Sequence, residues 1–228
     1  MNVPVVTIDG PSGAGKGTVA RRLAQRLGWH LLDSGALYRL VAVGGERAGL
    51  APEDVAAHAV LAQAMRVRFG TGADGGERVE LQGEDVTLAI RTETAGAGAS
   101  RVARWPAVRE ALLDRQRQFA EPPGLVADGR DMGSVIFPSA ALKVFLTASP
   151  AERAQRRHNQ LKEKGVAVNL ADLSREIELR DRQDATRAAS PLRAAPDAVH
   201  IDSTAHSAAE VVDVLWQLGA ARGLWSAG

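Results

Sequence analysis

The run GPSGAGKGT, residues 10–18, decides how the chain is read. Gly10, Gly15 and Lys16 fit the spacing G-x-x-x-x-G-K. The stretch before it, VPVVTI at 3–8, is short, β-branched and apolar, as a strand covered on both faces must be. After it, Val19, Ala20, Leu23, Ala24 and Leu27 recur at helical spacing, and Gly28 supplies a stop. Strand, glycine loop and helix in that order make a cradle for phosphate oxygens. Backbone N–H groups point inward, the helix N-terminus adds its positive end, and Lys16 neutralises charge between the outer phosphates. The cradle comprises Gly10, Pro11, Ser12, Gly13, Ala14, Gly15, Lys16, Gly17 and Thr18. Gly17 stands where the general motif has a serine or threonine that ligates magnesium directly. Thr18 is left to orient the ion or a phosphate, with water between.

Working outward, 228 residues with 45% hydrophobic content supply one substantial core, so a single domain over 1–228 is expected. Lys and Arg number 28 against 27 Asp and Glu, a net charge of +1, which excludes a global field that would gather nucleic acid or an anionic membrane. The absence of cysteine excludes disulfides, cysteine nucleophiles and thiolate metal sites. No stretch approaches the roughly 18 apolar residues of a membrane span, and MNVPVVTIDG carries no secretory pattern. The expectation is a mature cytoplasmic protein, monomeric, with neither nucleic acid nor membrane as partner. The five histidines show no ligand spacing, and His58 reads as a helix-surface residue.

Further strands are expected at about 29–33, 124–129, 141–148 and 198–203, interleaved with helices. That alternation predicts an α/β fold with a mostly parallel sheet flanked by helices. Within it, Ser34 or Gly35 through Val43 reads as a helix closed by Gly44 and Gly45, and Pro52 falls in the first turn of the next. The pattern changes near 62–101, where a small β-containing insertion with an antiparallel hairpin is expected at about 65–91. Two charged helices follow at 150–165 and from Leu170 to near Arg187.

The polar residues cluster at predicted strand ends and on the charged helices. LLDSGALYR places Asp33 at a strand end, Ser34 after it and Arg39 on the next helix. Asp33 suits either a helix cap or a place beside the transferred phosphate or its magnesium, and Arg39 either a solvated face or an acceptor phosphate. DGRDMG, 128–133, sets Asp128 and Asp131 around Arg130 just past an apolar strand. Arg180, Asp184 and Arg187 are spaced to share one helix face, as a salt-bridge ladder or as two guanidiniums around a carboxylate. Arg153, Arg156 and Arg157 precede them. Nine basic and six acidic residues between 153 and 187 read as a short lid over polyphosphate, with arginines arriving on closure.

Taken together, TIDGPSGAGKGT, LLDSGALYR, ADGRDMG and RDRQDATR resemble the bacterial cytidylate kinases, nucleoside monophosphate kinases that act on CMP and dCMP. The resemblance covers nearly the whole chain, and the middle segment is similar to that family's insertion. It implies a P-loop nucleoside monophosphate kinase fold, with a discontinuous core, a monophosphate-binding region and a lid near 153–187. ATP is the implied co-substrate, held by residues 10–18 with Arg153 and Arg157, and Mg2+ is bound mainly through phosphates and water. Lys16, Asp33, Arg130 and Arg180 are the implied catalytic residues. The acceptor set implied is Ser34, Arg39, Ser100, Arg109, Arg130, Asp131, Arg180, Asp184 and Arg187. Within it Ser100, Arg109 and Asp131 surround cytosine, Arg39, Arg130 and Arg180 lie near phosphate, and Asp184 with Arg187 lies near sugar or phosphate. An aspartate accepts from the exocyclic amine of cytosine but meets an oxygen on uracil, which is a physical basis for base choice. Local packing for Ser100 and solvation for Arg109 stay open on the residues alone, as do a different acceptor nucleotide and a nucleotide-dependent regulatory protein.

Overall fold

The structure is a computed structural model that describes residues 3–71, 77–163, 168–186 and 191–226. The chain divides into two compact units, Met1–Asp33 with Arg117–Gly228, and Ser34–Gln116. In chain order, the first unit begins with β1 (Val5–Asp9), α1 (Lys16–Leu27) and β2 (His30–Asp33). The second contains α2 (Ser34–Arg47), α3 (Val55–Ala64), β3 (Val67–Thr71), β4 (Glu77–Leu81), β5 (Glu84–Asp85), α4 (Glu93–Val102) and α5 (Pro106–Arg117), whose last residue belongs to the first unit. The first unit resumes with β6 (Leu125–Gly129), a π-helical turn at Met132–Ile136, β7 (Leu142–Thr147), α6 (Pro150–Glu163), α7 (Leu170–Thr186), β8 (Val199–Asp202) and α8 (Ala208–Ala221).

The first unit is built on a five-stranded sheet of order β2-β6-β1-β7-β8, parallel at every pairing. Every residue of β1 and β6 is buried, which is why both read as unbroken rather than alternating runs. Val19, Leu23 and Ala24 of α1 and Val211, Val212 and Leu215 of α8 pack with Val6, Ile8, Val126, Val144 and Leu146 of the sheet. Full burial of a leucine or isoleucine contributes about 1.5–3 kcal/mol, so the loop joining β1 to α1 is held rigidly at both ends. Register then fixes the sheet edge: Asp33 stands opposite Asp128, and Asp9 opposite Gly129. Three carboxylates from β1, β2 and β6 therefore share one end of the sheet.

In the second unit α2 packs on α4, and a Cβ at Gly98 would stand 2.8 Å from that of Ala42. The antiparallel sheet β3-β4-β5 lies within the expected hairpin region; residues 72–76 of that segment fall outside the described residues. Three expectations change. Helix α2 runs through Gly44 and Gly45 to Arg47 instead of stopping at them. These glycines serve close packing: a Cβ at Gly45 would stand 2.4 Å from Nε2 of His58, and one at Gly44 3.2 Å from Leu61. His58 is accordingly buried rather than on the surface. Helix α3 starts at Val55, not around Pro52, because the Asp54 side chain caps it by accepting from the Ala57 amide at 2.9 Å. Among the described residues no helix is long and apolar enough to cross a membrane.

Candidate active site

The glycine loop takes the shape that its sequence demands. Gly10 has φ 152°, and a Cβ there would lie 2.0 Å from the Leu146 carbonyl oxygen, so only glycine fits against β7. Gly15, with φ 90°, opens α1, and no side chain caps that helix end. Its first-turn amides are the groups a phosphate can take up. The departure from the general motif, Gly17, has a reason in packing: a Cβ there would stand 3.2 Å from Oδ2 of Asp128. From behind, Ser203 Oγ lies 3.1 Å from Ala14 O and 2.9 Å from Thr147 O. The Arg156 guanidinium donates to Ser203 O at 2.6 Å.

Lys16 is buried, with Nζ donating to Pro11 O at 3.0 Å and lying 4.0 Å from Oδ1 of Asp128. Burial lowers its pKa, opposed chiefly by the Asp128 charge. The reverse holds for Asp128: burial pushes its carboxyl up, against the pull of Lys16, and Asp33 raises it further. Asp9 is also buried, and desolvation raises it to about 6 although its two oxygens accept from the amides of Met132 and Gly133, each at 2.8 Å. A lysine inside a ring of strand-end carboxylates is a positive centre whose charge is balanced locally.

Arginines complete this cluster. Arg130 donates from Nε to Asp184 at 2.6 Å and from Nη1 to Gly10 O at 3.1 Å. Arg153, 3% exposed, donates to Ser12 O at 3.1 Å and to Ala148 O at 3.0 Å, and pairs in a bidentate fork with Asp181. Helix α7 thus presents Asp181 and Asp184, one turn apart, to two arginines that also grip the phosphate loop. Asp131 is buried directly after Arg130, and its carbonyl accepts from Val135 and Ile136 to start the π-helical turn. Arg157 reaches Gln160, and Arg180 reaches Glu176, each within its own helix. Arg187 lies outside the described residues.

The second unit holds the remaining candidates. Buried Ser34 donates from Oγ to Oε1 of Gln116 at 2.7 Å, a residue with no exposed surface. Arg39 donates to Ile90 O at 3.3 Å. Arg109 donates to Ala103 O at 3.5 Å and lies 5.8 Å over the Tyr38 ring. Ser100 is half-buried on α4. Sequence reasoning passed over Asp9, Asp181, Ser203 and Gln116. Of these only Asp9 carried a local signal, as the charged residue ending an otherwise apolar strand.

The comparisons with known proteins agree with one another. The family model for cytidylate kinase matches residues 6–220. The chain belongs to the cytidylate kinase family. A cytidylate kinase of Azotobacter vinelandii is 58% identical over 221 residues, 96% of each chain. That of Stutzerimonas stutzeri is 59% identical over 92% of each chain, and that of Methylococcus capsulatus 58% identical over 93% of this chain and 95% of its own. As a cytidylate kinase family member the chain is a phosphotransferase, and a P-loop set against buried Lys16 is the machinery such an enzyme needs.

Proposed function

We propose that the chain transfers the γ-phosphoryl group of ATP to CMP or dCMP, giving CDP or dCDP and ADP. The observation that carries this reading is the glycine loop with buried Lys16 at its end, in a chain whose family matches along nearly its full length. Residues 10–18 take the ATP phosphates, and Lys16 neutralises charge as the bond to the γ-phosphorus breaks. Magnesium enters with ATP as part of the substrate and supplies charge neutralisation. Asp33 and Asp128 give an oxygen-only donor set that suits a hard cation, and Thr18 stands in the first turn of α1.

An oxygen of the CMP phosphate attacks the γ-phosphorus in line, the new P–O bond forming as the bond to the β-phosphate oxygen breaks. The acceptor phosphate is largely ionised near neutral pH, so a strong base is unnecessary and no phospho-enzyme forms. Positioning and electrostatic stabilisation carry the rate. Arg39, Arg130 and Arg180 hold the phosphates, Ser100, Arg109 and Asp131 read cytosine, Ser34 and Asp184 hold the rest of the acceptor, and Arg153 and Arg157 serve ATP. Asp181 and Asp184 support the reading by fixing the orientation of two of these guanidiniums.

The test is ADP release with MgATP and an equal panel of CMP, dCMP, UMP and AMP, the diphosphate product being identified chromatographically. Turnover on CMP and dCMP far above that on UMP and AMP is expected. Turnover mainly on another monophosphate overturns the cytosine assignments, and none on any overturns the activity. The same reading has the chain act in the cytoplasm as a monomer of 24.1 kDa, a mass that light scattering checks.

A further inference from the structure

Asp9 takes no part in the proposed transfer, yet its side chain is buried and doubly bonded at the sheet edge. It ends β1, 4% exposed, and Gly10 of the phosphate loop follows it directly. Its backbone is in register with Gly129 at the end of β6. Its carboxylate accepts from the amides of Met132 and Gly133, at 2.8 Å in both cases. Those amides open the π-helical turn and have no partner within it, so Asp9 caps that turn from another strand. Between Gly129 and Met132 lie only Arg130 and Asp131. One residue of β1 therefore stands in register with the residue before this pair and holds the chain after it by its carboxylate. Arg130 closes the arrangement by donating to Gly10 O at 3.1 Å.

We propose that Asp9 is a positioning residue for acceptor recognition: by bridging the Met132 and Gly133 amides it sets where Arg130 and Asp131 stand relative to the phosphate loop. The inference rests on the acceptor roles given above to those two residues. Its chemistry requires a carboxylate. Asparagine keeps one acceptor oxygen, but its NH2 group then faces a backbone N–H that has lost its partner, and the turn must shift to relieve the conflict. The turn is packed closely at this point, where a Cβ on Gly133 would lie 2.7 Å from Thr7 Oγ1.

The experiment compares Asp9→Asn and Arg130→Ala with the unaltered enzyme, measuring kcat and KM for CMP and UMP at saturating MgATP, together with Tm. The ratio of kcat/KM for CMP to that for UMP does not depend on how much enzyme is folded, so a merely structural role leaves it unmoved. Asp9→Asn is expected to raise the CMP KM by roughly 10- to 100-fold, the range set by hydrogen bonds to a charged group. It is also expected to reduce the CMP-to-UMP ratio by about tenfold or more, the factor reached when a base-reading carboxylate is displaced. A lowered Tm with the CMP KM and the ratio unchanged overturns the proposal. An Arg130→Ala enzyme with an unaltered CMP KM overturns instead the acceptor reading on which it rests. If Asp9→Asn does not fold, amide hydrogen exchange on the unaltered chain decides. Exchange at Met132 and Gly133 as slow as in β6 supports the anchor, and free exchange at either overturns it.

Discussion

The two units stabilise their functional side chains by different means. In the first, charge is matched to charge inside the fold: Lys16 beside Asp128, Arg130 on Asp184, Arg153 on Asp181, and Asp9 on two backbone amides. In the second, the described acceptors are uncharged oxygens: Ser34 donates to Gln116, Arg39 to a carbonyl, and Arg109 to a carbonyl while lying near the face of Tyr38. Handling phosphate demands buried charges that are already oriented before the reaction, because reorienting them during it would consume the rate enhancement. Reading a base demands a pocket of modest hydrogen bonds whose worth lies in discrimination. The first unit should therefore govern turnover along with the acceptor roles proposed for Arg130 and Asp131, and the second acceptor affinity alone.

The most severe break of this contrast is Lys16→Ala. Turnover is expected to fall by about 10²–10³, the range for removing one electrostatic stabiliser of a transition state. The fold should persist, because Asp128 can take up a proton once its partner is gone. Steady-state kinetics with circular dichroism check both halves, and unchanged turnover would remove Lys16 from the chemistry. Arg109→Ala in the second unit sharpens the contrast: the CMP KM should rise by roughly 10- to 100-fold with kcat changed far less. A fall in kcat equal to the loss in kcat/KM would instead put Arg109 in the transition state.

A smaller effect separates stability from chemistry. Gly45→Ala drives a methyl into the His58 ring and should destabilise the second unit by about 1–3 kcal/mol, with activity per folded molecule unchanged. Urea unfolding followed by Trp105, whose ring centroid lies 5.3 Å from that of His58, reads this unit directly. The smallest expected change falls on the first unit. Glu210 accepts from Ser207 N, and Asp202 from Thr204 Oγ1 and then Thr204 N, and these bonds hold both carboxyls below their ordinary values. A lowered folded pKa contributes stability that is present above the unfolded value and is lost as pH falls through the folded one. Below about pH 4, near the unperturbed carboxylate values, the start of α8 should therefore loosen. The Trp225 ring centroid lies 5.6 Å from that of Trp29 and 5.7 Å from that of Trp216 on the same helix, so the fluorescence of Trp105→Phe reports a loosening that spreads along α8. No response to acid in that range would remove the contribution assigned to these two carboxyls.

Sequence alone was enough for the strand, loop and helix around Lys16, for the positions of β6, β7 and β8, and for the motifs that carry the family. These are local matters: backbone sterics, residue periodicity and the fixed reach of a turn act within a few residues. Tertiary structure decided which charges meet. Asp184 finds Arg130 across 54 positions, Ser34 finds Gln116 across 82, and Asp9 reaches Met132 across 123. Helical spacing brings Arg180 and Asp184 onto one face, but it contains nothing about the arginine arriving from β6. The same holds for Gly44 and Gly45, which read as a helix stop until His58 and Leu61 give them a reason to remain helical. Sheet order and register set those meetings, because the energy of an ion pair or a steric contact depends on distance in space and not along the chain.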